Sequence, residues 1–192
     1  MANVEQAAAR AWALLGAMVG LSWGPPIAHF TLSIWELGSP LARVGLLLVT
    51  ALAIAIGWLL PSGYYAVHDF ERDGRVYVRL GIGWFKQWMI DGDRMNRRMR
   101  RIAPGYRAVR GDRDSLAVYL ARVRATEQAH LIWMLATLPA SGYALLVGRV
   151  RFAAIVLALN VITNLYPIWL QRYNRTRLAR TLDSQDRSDR RA

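Results

Sequence analysis

Residues 44–60, VGLLLVTALAIAIGWLL, carry no charged side chain over 17 consecutive positions. A helix needs roughly 17–25 such residues to cross the hydrocarbon core of a bilayer. Within hydrocarbon the backbone must satisfy its own hydrogen bonds, so the stretch reads as a transmembrane helix and the chain as an all-α integral membrane protein. Two apolar blocks downstream, residues 129–147 and 152–170, repeat the pattern. Only Gly148, Arg149, Val150 and Arg151 separate them, which allows a tight hairpin of antiparallel helices and nothing longer. Upstream, residues 11–35 are mostly apolar but are interrupted by Pro25 and Pro26 and carry His29, the pattern of a kinked span. Four crossings are expected in all.

The chain has 192 residues, 54% of them hydrophobic, yet its formal net charge is +12. Apolar and charged residues fall in separate blocks instead of interleaving as they do in a soluble domain. Cysteine is absent, which excludes disulfides and thiolate catalysis and leaves oxygen or nitrogen as the nucleophile. Arg10 is the only basic residue near the start and no small-residue cleavage pattern follows it, so the first span reads as retained.

Arg172, Arg175, Arg177 and Arg180 follow the last block, against Arg149 and Arg151 at its other end, and this excess assigns the C-terminal side to the cytoplasm. With four crossings the N-terminus and residues 61–128 share that side, and 61–128 is itself basic, with 14 Arg or Lys against 8 Asp or Glu. The expected organisation is an N-terminal transmembrane hairpin (1–60), a basic, partly helical cytoplasmic segment (61–128), a C-terminal transmembrane hairpin (129–181) and a disordered tail (182–192). Both termini are then cytoplasmic, in a multi-pass protein of the inner membrane. No nucleic-acid recognition motif accompanies the charge, so membrane lipids and not nucleic acid are the expected partners.

Between the second and third spans, Arg75 to Leu80 (RVYVRL) alternates apolar and polar residues like a short strand, and Asp91, Gly92 and Asp93 signal a turn. Residues 94–101 (RMNRRMRR) place two methionines four apart among arginines, as in a helix lying on an anionic surface or packed on its neighbours. Pro104 and Gly105 end it, and from Ser115 the helical pattern enters the third span unbroken. One long helix from about Asp114 to Leu146 is expected, kinked at Pro139.

Two constellations carry chemistry. Glu127 and His130, three apart, share one face of the helix where it enters the membrane. A histidine of near-neutral pKa can accept a hydroxyl proton while a carboxylate fixes its tautomer. The bland reading is a satisfied histidine at a helix end. Glu-x-x-His supplies two metal ligands and the second such motif of a di-iron bundle is missing, so no metal is expected. The other constellation is Asn160, Asn164, Pro167, Gln171 and Asn174, one stripe of the last helix that should face the bundle, as interhelical glue or as a binding surface. The third span begins and the fourth ends at the same face, so Glu127 and His130 share a depth with Gln171, Arg172, Asn174, Arg175 and Arg177. The arginines there suit a phosphate or carrier anion, or a carbonyl oxygen that becomes an oxyanion. His68 to Asp73 also spells a His-x4-Asp spacing, a pattern short enough to arise by chance in a charged loop.

The string from Asn164 to Leu178, NLYPIWLQRYNRTRL, resembles the C-terminal signature of the glycosyl-4,4'-diaponeurosporenoate acyltransferases, N-x-P or N-x-x-P followed by QRYNRxRL. The likeness extends upstream in the same order. Phe70, Glu71, Gly74 and Tyr77 resemble the family's FE-x-x-G-x-x-Y, Ile90 to Gly92 its D-G turn, and Glu127 with His130 its E-x-x-H-W, with Leu131 where that pattern has Trp. Arg122 and Ala125 stand where the family usually has a further Glu and Arg. The resemblance implies a small membrane acyltransferase of carotenoid biosynthesis that esterifies a sugar hydroxyl of a glycosylated carotenoid acid, and it adds Glu71 to the candidate site. The co-substrate is then an acyl thioester, on coenzyme A or acyl carrier protein, with no bound cofactor. In that chemistry His130 takes the hydroxyl proton and Glu127 orients it. Arg172 and Arg175 bind the carrier or the oxyanion, Gln171 and Asn174 position the acceptor, and a groove at Asn160 and Trp133 holds the chain. A non-enzymatic membrane protein, a partner subunit or small transporter, is the rival class.

Overall fold

A computed structural model describes residues 39–89, 93–102 and 112–190, together with Ala28 and Thr31. The expected kinked span at 11–35 lies almost wholly outside the described residues. The described chain is helical: α1 Pro40–Trp58, short helices α2 Arg75–Arg79, α3 Ile82–Trp88 and α4 Asp93–Ile102, a long α5 Arg113–Leu146, then α6 Val150–Asn160, a π turn Val161–Leu165 and α7 Tyr166–Asp189. Three helical stretches, Pro40–Trp58, Arg113–Leu146 and Val150–Gln185, are long and apolar enough to cross a membrane.

Two compact units emerge, residues 1–54 with 133–163 and residues 55–132 with 164–192. The first is held by small side chains. Leu46 and Thr50 of α1 are buried, Leu46 packing with Ala140, while Leu41, Val44, Leu48 and Leu52 stay exposed, as on a helix whose outer face meets lipid. Ala136, Ala140, Ala144 and Ala153 are buried, and small residues let helices approach closely where lipid removes the hydrophobic drive to associate. Thr137 and Ser141 return their hydroxyls to carbonyls of their own helix, and Asn160 donates to the Met134 carbonyl at 3.2 Å. The loop between α5 and α6 turns on Gly148 at φ 78°, with Arg149 N–H bonding the Ala144 carbonyl and Gly148 N–H the Leu145 carbonyl, which ends α5 in the left-handed cap only glycine adopts easily.

The second unit has an aromatic core of Tyr77, Ile82, Phe85 and Leu170, with Tyr166, Trp169 and Tyr173 against it. A second cluster joins Leu116 and Val123 of α5 to Leu178 of α7. Arg75–Arg79, expected as a strand, is a helical turn. Six alternating residues do not distinguish the two, and with no strand among the described residues to pair with, a strand there would leave its amides unmet, whereas a helix bonds its own. The tail expected to be disordered continues α7 to Asp189. Leu182 packs against the cluster of Leu116, Val123 and Leu178, and adding residues to a formed helix avoids the cost of nucleation. The long helix α5 contains Pro139 as expected. The π turn follows from Pro167, which has no N–H for the carbonyl of Thr163, so the ladder widens where Asn164 sits.

Candidate active site

Glu71, Glu127, His130, Asn164, Arg172 and Arg175, the centre of the candidate site, belong to the second unit. The site begins at the turn Asp69–Glu71, where Glu71 Oε2 accepts the His68 amide at 3.1 Å and Gly74 N–H bonds the Glu71 carbonyl at 2.8 Å. Gly74 adopts φ 69°, and a Cβ there would stand 3.3 Å from the Tyr173 ring, so both conformation and space call for glycine. The reversal launches α2 and brings the Tyr77 hydroxyl onto Glu71 Oε1.

From Glu71 a chain of charges runs inward. Arg172 Nη1 donates to Glu71 Oε1 at 2.9 Å and its Nε to Glu127 Oε1 at 3.0 Å, while Arg175 Nη1 donates to Glu127 Oε2. Glu71 and Glu127 are fully buried and Arg175 is 2% exposed. Arg172 also lies over the Tyr64 ring, 4.5 Å from its centroid, a cation–π contact that fixes its plane. Two carboxylates and two guanidiniums cancel, which permits four ionised groups to be buried together.

Burial alone would raise the Glu71 carboxyl, but the Tyr77 hydroxyl, the His68 amide and Arg172 outweigh it and hold the group below its ordinary value. Burial and the bond to Glu71 push the Tyr77 phenol up, so it remains a donor throughout the physiological range. A depressed carboxyl stabilises the fold above its unfolded pKa, about 4.3 for Glu, and that contribution is lost as pH falls through the folded value. The stability difference between wild type and Glu71→Gln is therefore expected to be full at pH 7 and to shrink below about pH 4, as read by thermal unfolding in detergent.

Four of the residues singled out in the sequence, Glu71, Glu127, Arg172 and Arg175, thus form one network. Glu127 accepts from both arginines, two charge-assisted bonds that offset the burial of its carboxylate. His130 bonds Asn164, with Nδ1 and Oδ1 3.3 Å apart. Gln171 and Asn174 are half-buried on α7. Asn160 belongs to the first unit and ties α6 to α5. Arg177 is exposed near Tyr173 and, with Arg180, Thr181, Ser184 and Gln185, lines an open cleft of about 420 Å³ on one helix face. The exposed His68 serves through its backbone amide, its ring stacked on Phe70. Among the described residues no three His, Asp or Glu gather as a metal site. Tyr64, Tyr65 and the hydrogen-bonding role of Tyr77 were not read from the sequence. A tyrosine pair after Pro61 is the only trace of the first two.

Residues 61–184 match the sequence model of a family described as glycosyl-4,4'-diaponeurosporenoate acyltransferase. No curated protein and no solved structure matches the chain.

Proposed function

Because the chain belongs to the glycosyl-4,4'-diaponeurosporenoate acyltransferase family, and is an acyltransferase of carotenoid biosynthesis, we propose that it moves a fatty acyl group from a thioester to a sugar hydroxyl of a glycosylated carotenoid acid or related lipid. The observation that carries the reading is the buried, charge-neutral network Glu71–Arg172–Glu127–Arg175, in one unit with the His130–Asn164 pair. With Nδ1–H donating to the Asn164 amide oxygen, Nε2 of His130 carries the lone pair that a general base requires. His130 takes the proton of the attacking hydroxyl and returns it to the leaving thiolate. Asn164 fixes the tautomer. Glu127 holds the two arginines in place, and these meet the charge that develops on the acyl carbonyl or on the carrier. Gln171 and Asn174 position the acceptor. The acyl donor, on coenzyme A or acyl carrier protein, reaches the site from the cytoplasm, the side favoured by the arginines that follow the last apolar block.

Lipid and pigment profiling of cells with and without the gene tests this reading. Loss of one acylated glycolipid or carotenoid ester, with its unacylated precursor accumulating, is the expected result. An unchanged profile in cells that make the glycosylated acceptor would overturn it.

A further inference from the structure

Arg175 spends Nη1 on Glu127, yet its Nε and Nη2, both buried, meet no acceptor among the described residues, and the same is true of the buried Tyr65 hydroxyl. Nε and Nη2 form the side edge of the guanidinium, where two N–H bonds run parallel and can share one oxygen or grip two. Leaving buried donors unmet costs about 1–3 kcal/mol each, and folded proteins seldom keep such groups without use for them. Tyr65 ends the turn Ser62–Tyr65 and lies within electrostatic reach of Glu127, Arg175 and Arg172. Burial, reinforced by the charge of Glu127, pushes its phenol up, so the hydroxyl stays a donor. Arg172 differs: two of its nitrogens are committed to carboxylates and its face to Tyr64.

Charge decides what these donors hold. Glu71, Arg172, Glu127 and Arg175 already sum to zero, so a phosphate dianion would bring uncompensated charge into a buried site. A thioester carbonyl arrives neutral. When it becomes an oxyanion, the imidazolium formed at His130 balances it.

Resting on the acyl-transfer reading above, we propose that the Tyr65 hydroxyl and the Nε/Nη2 edge of Arg175 bind the carbonyl oxygen of the acyl donor and form its oxyanion hole. The acceptor oxygen bonds to the acyl carbon as its proton passes to His130, and the carbonyl π pair moves onto the oxygen held by Tyr65 and Arg175. That pair then re-forms the carbonyl, the C–S bond breaks, and the departing thiolate takes the proton from His130. Tyr65 is a catalytic residue in this scheme, and Arg172 a positioning one.

Tyr65→Phe removes only the hydroxyl. Loss of one oxyanion donor lowers kcat by about 10²–10³, and here KM for palmitoyl-coenzyme A and the melting temperature should be unchanged or, for the latter, raised. A second measurement needs no turnover: the infrared band of palmitoyl-coenzyme A labelled with 13C at its carbonyl, bound to the full-length protein without acceptor. In wild type the band should move to lower frequency than in detergent alone, with less movement in Tyr65→Phe, and palmitoyl-acyl carrier protein run in parallel shows which carrier delivers it. An identical band in wild type and variant means that the hydroxyl serves a buried water or nothing, and overturns the proposal. If wild type transfers acyl groups and His130→Ala does not, while Tyr65→Phe keeps full kcat, the oxyanion hole falls and acyl transfer stands. If wild type yields no ester, the acyl-transfer reading falls and takes the oxyanion hole with it.

Discussion

Glu127→Ala should lose about 3–5 kcal/mol of stability, the cost of leaving buried charge without its partner. Glu127 is fully buried and accepts from both Arg172 and Arg175, which itself is 2% exposed. Arg172 keeps Glu71 after the substitution, so Arg175 bears most of the damage. The pair Glu127→Met with Arg175→Met is expected to recover much of the loss, because replacing a whole buried ion pair by apolar side chains is often neutral or stabilising. Thermal and denaturant unfolding in detergent measures both. A single variant within about 1 kcal/mol of wild type, the value of an exposed pair, would mean that the network is not held together as described. The recovered double variant should be folded and inactive, which separates the structural work of the pair from its chemistry.

His130→Ala is expected to remove about 10²–10⁴ of the rate, the usual share of a general base, while leaving the fold intact. His130 is half-buried and its bond to Asn164 is long, at 3.3 Å, so little stability rests on that bond. Asn164→Ala should lose less rate, since the imidazole remains and only its orientation and tautomer are released, and its pH–rate profile should shift. Wild-type kcat in a folded His130→Ala protein would remove His130 from the mechanism.

The apolar blocks and the hairpin at Gly148 were legible because length and uninterrupted hydropathy are properties of local sequence, and so was the unbroken pattern that makes α5 a single helix through Pro139. Each charged member of the network was visible too, through its place in a motif. The connections were not. Spacing of three on a helix suggested Glu127 with His130, whereas its partners lie 45 and 48 residues away, and Arg172 reaches Glu71 across 101. Which carboxylate an arginine takes is settled by packing, in this case by a reversal at Gly74 that turns Glu71 inward and by a π turn forced at Pro167. Tyr64 and Tyr65 belong to no pattern, and their value lies in what surrounds them. Residues 75–80 show the limit of periodicity, since one turn of helix and a short strand produce the same alternation.

The most direct test of acyl transfer is to incubate the purified protein in detergent or nanodiscs with palmitoyl-coenzyme A and a glycosylated carotenoid acid, and to follow both by mass spectrometry. A product heavier than the acceptor by one palmitoyl group, with free coenzyme A released in equal amount and neither formed by His130→Ala, is the predicted result. Release of coenzyme A with free palmitate and no ester, or an acceptor left unmodified by a folded wild-type protein, would contradict it.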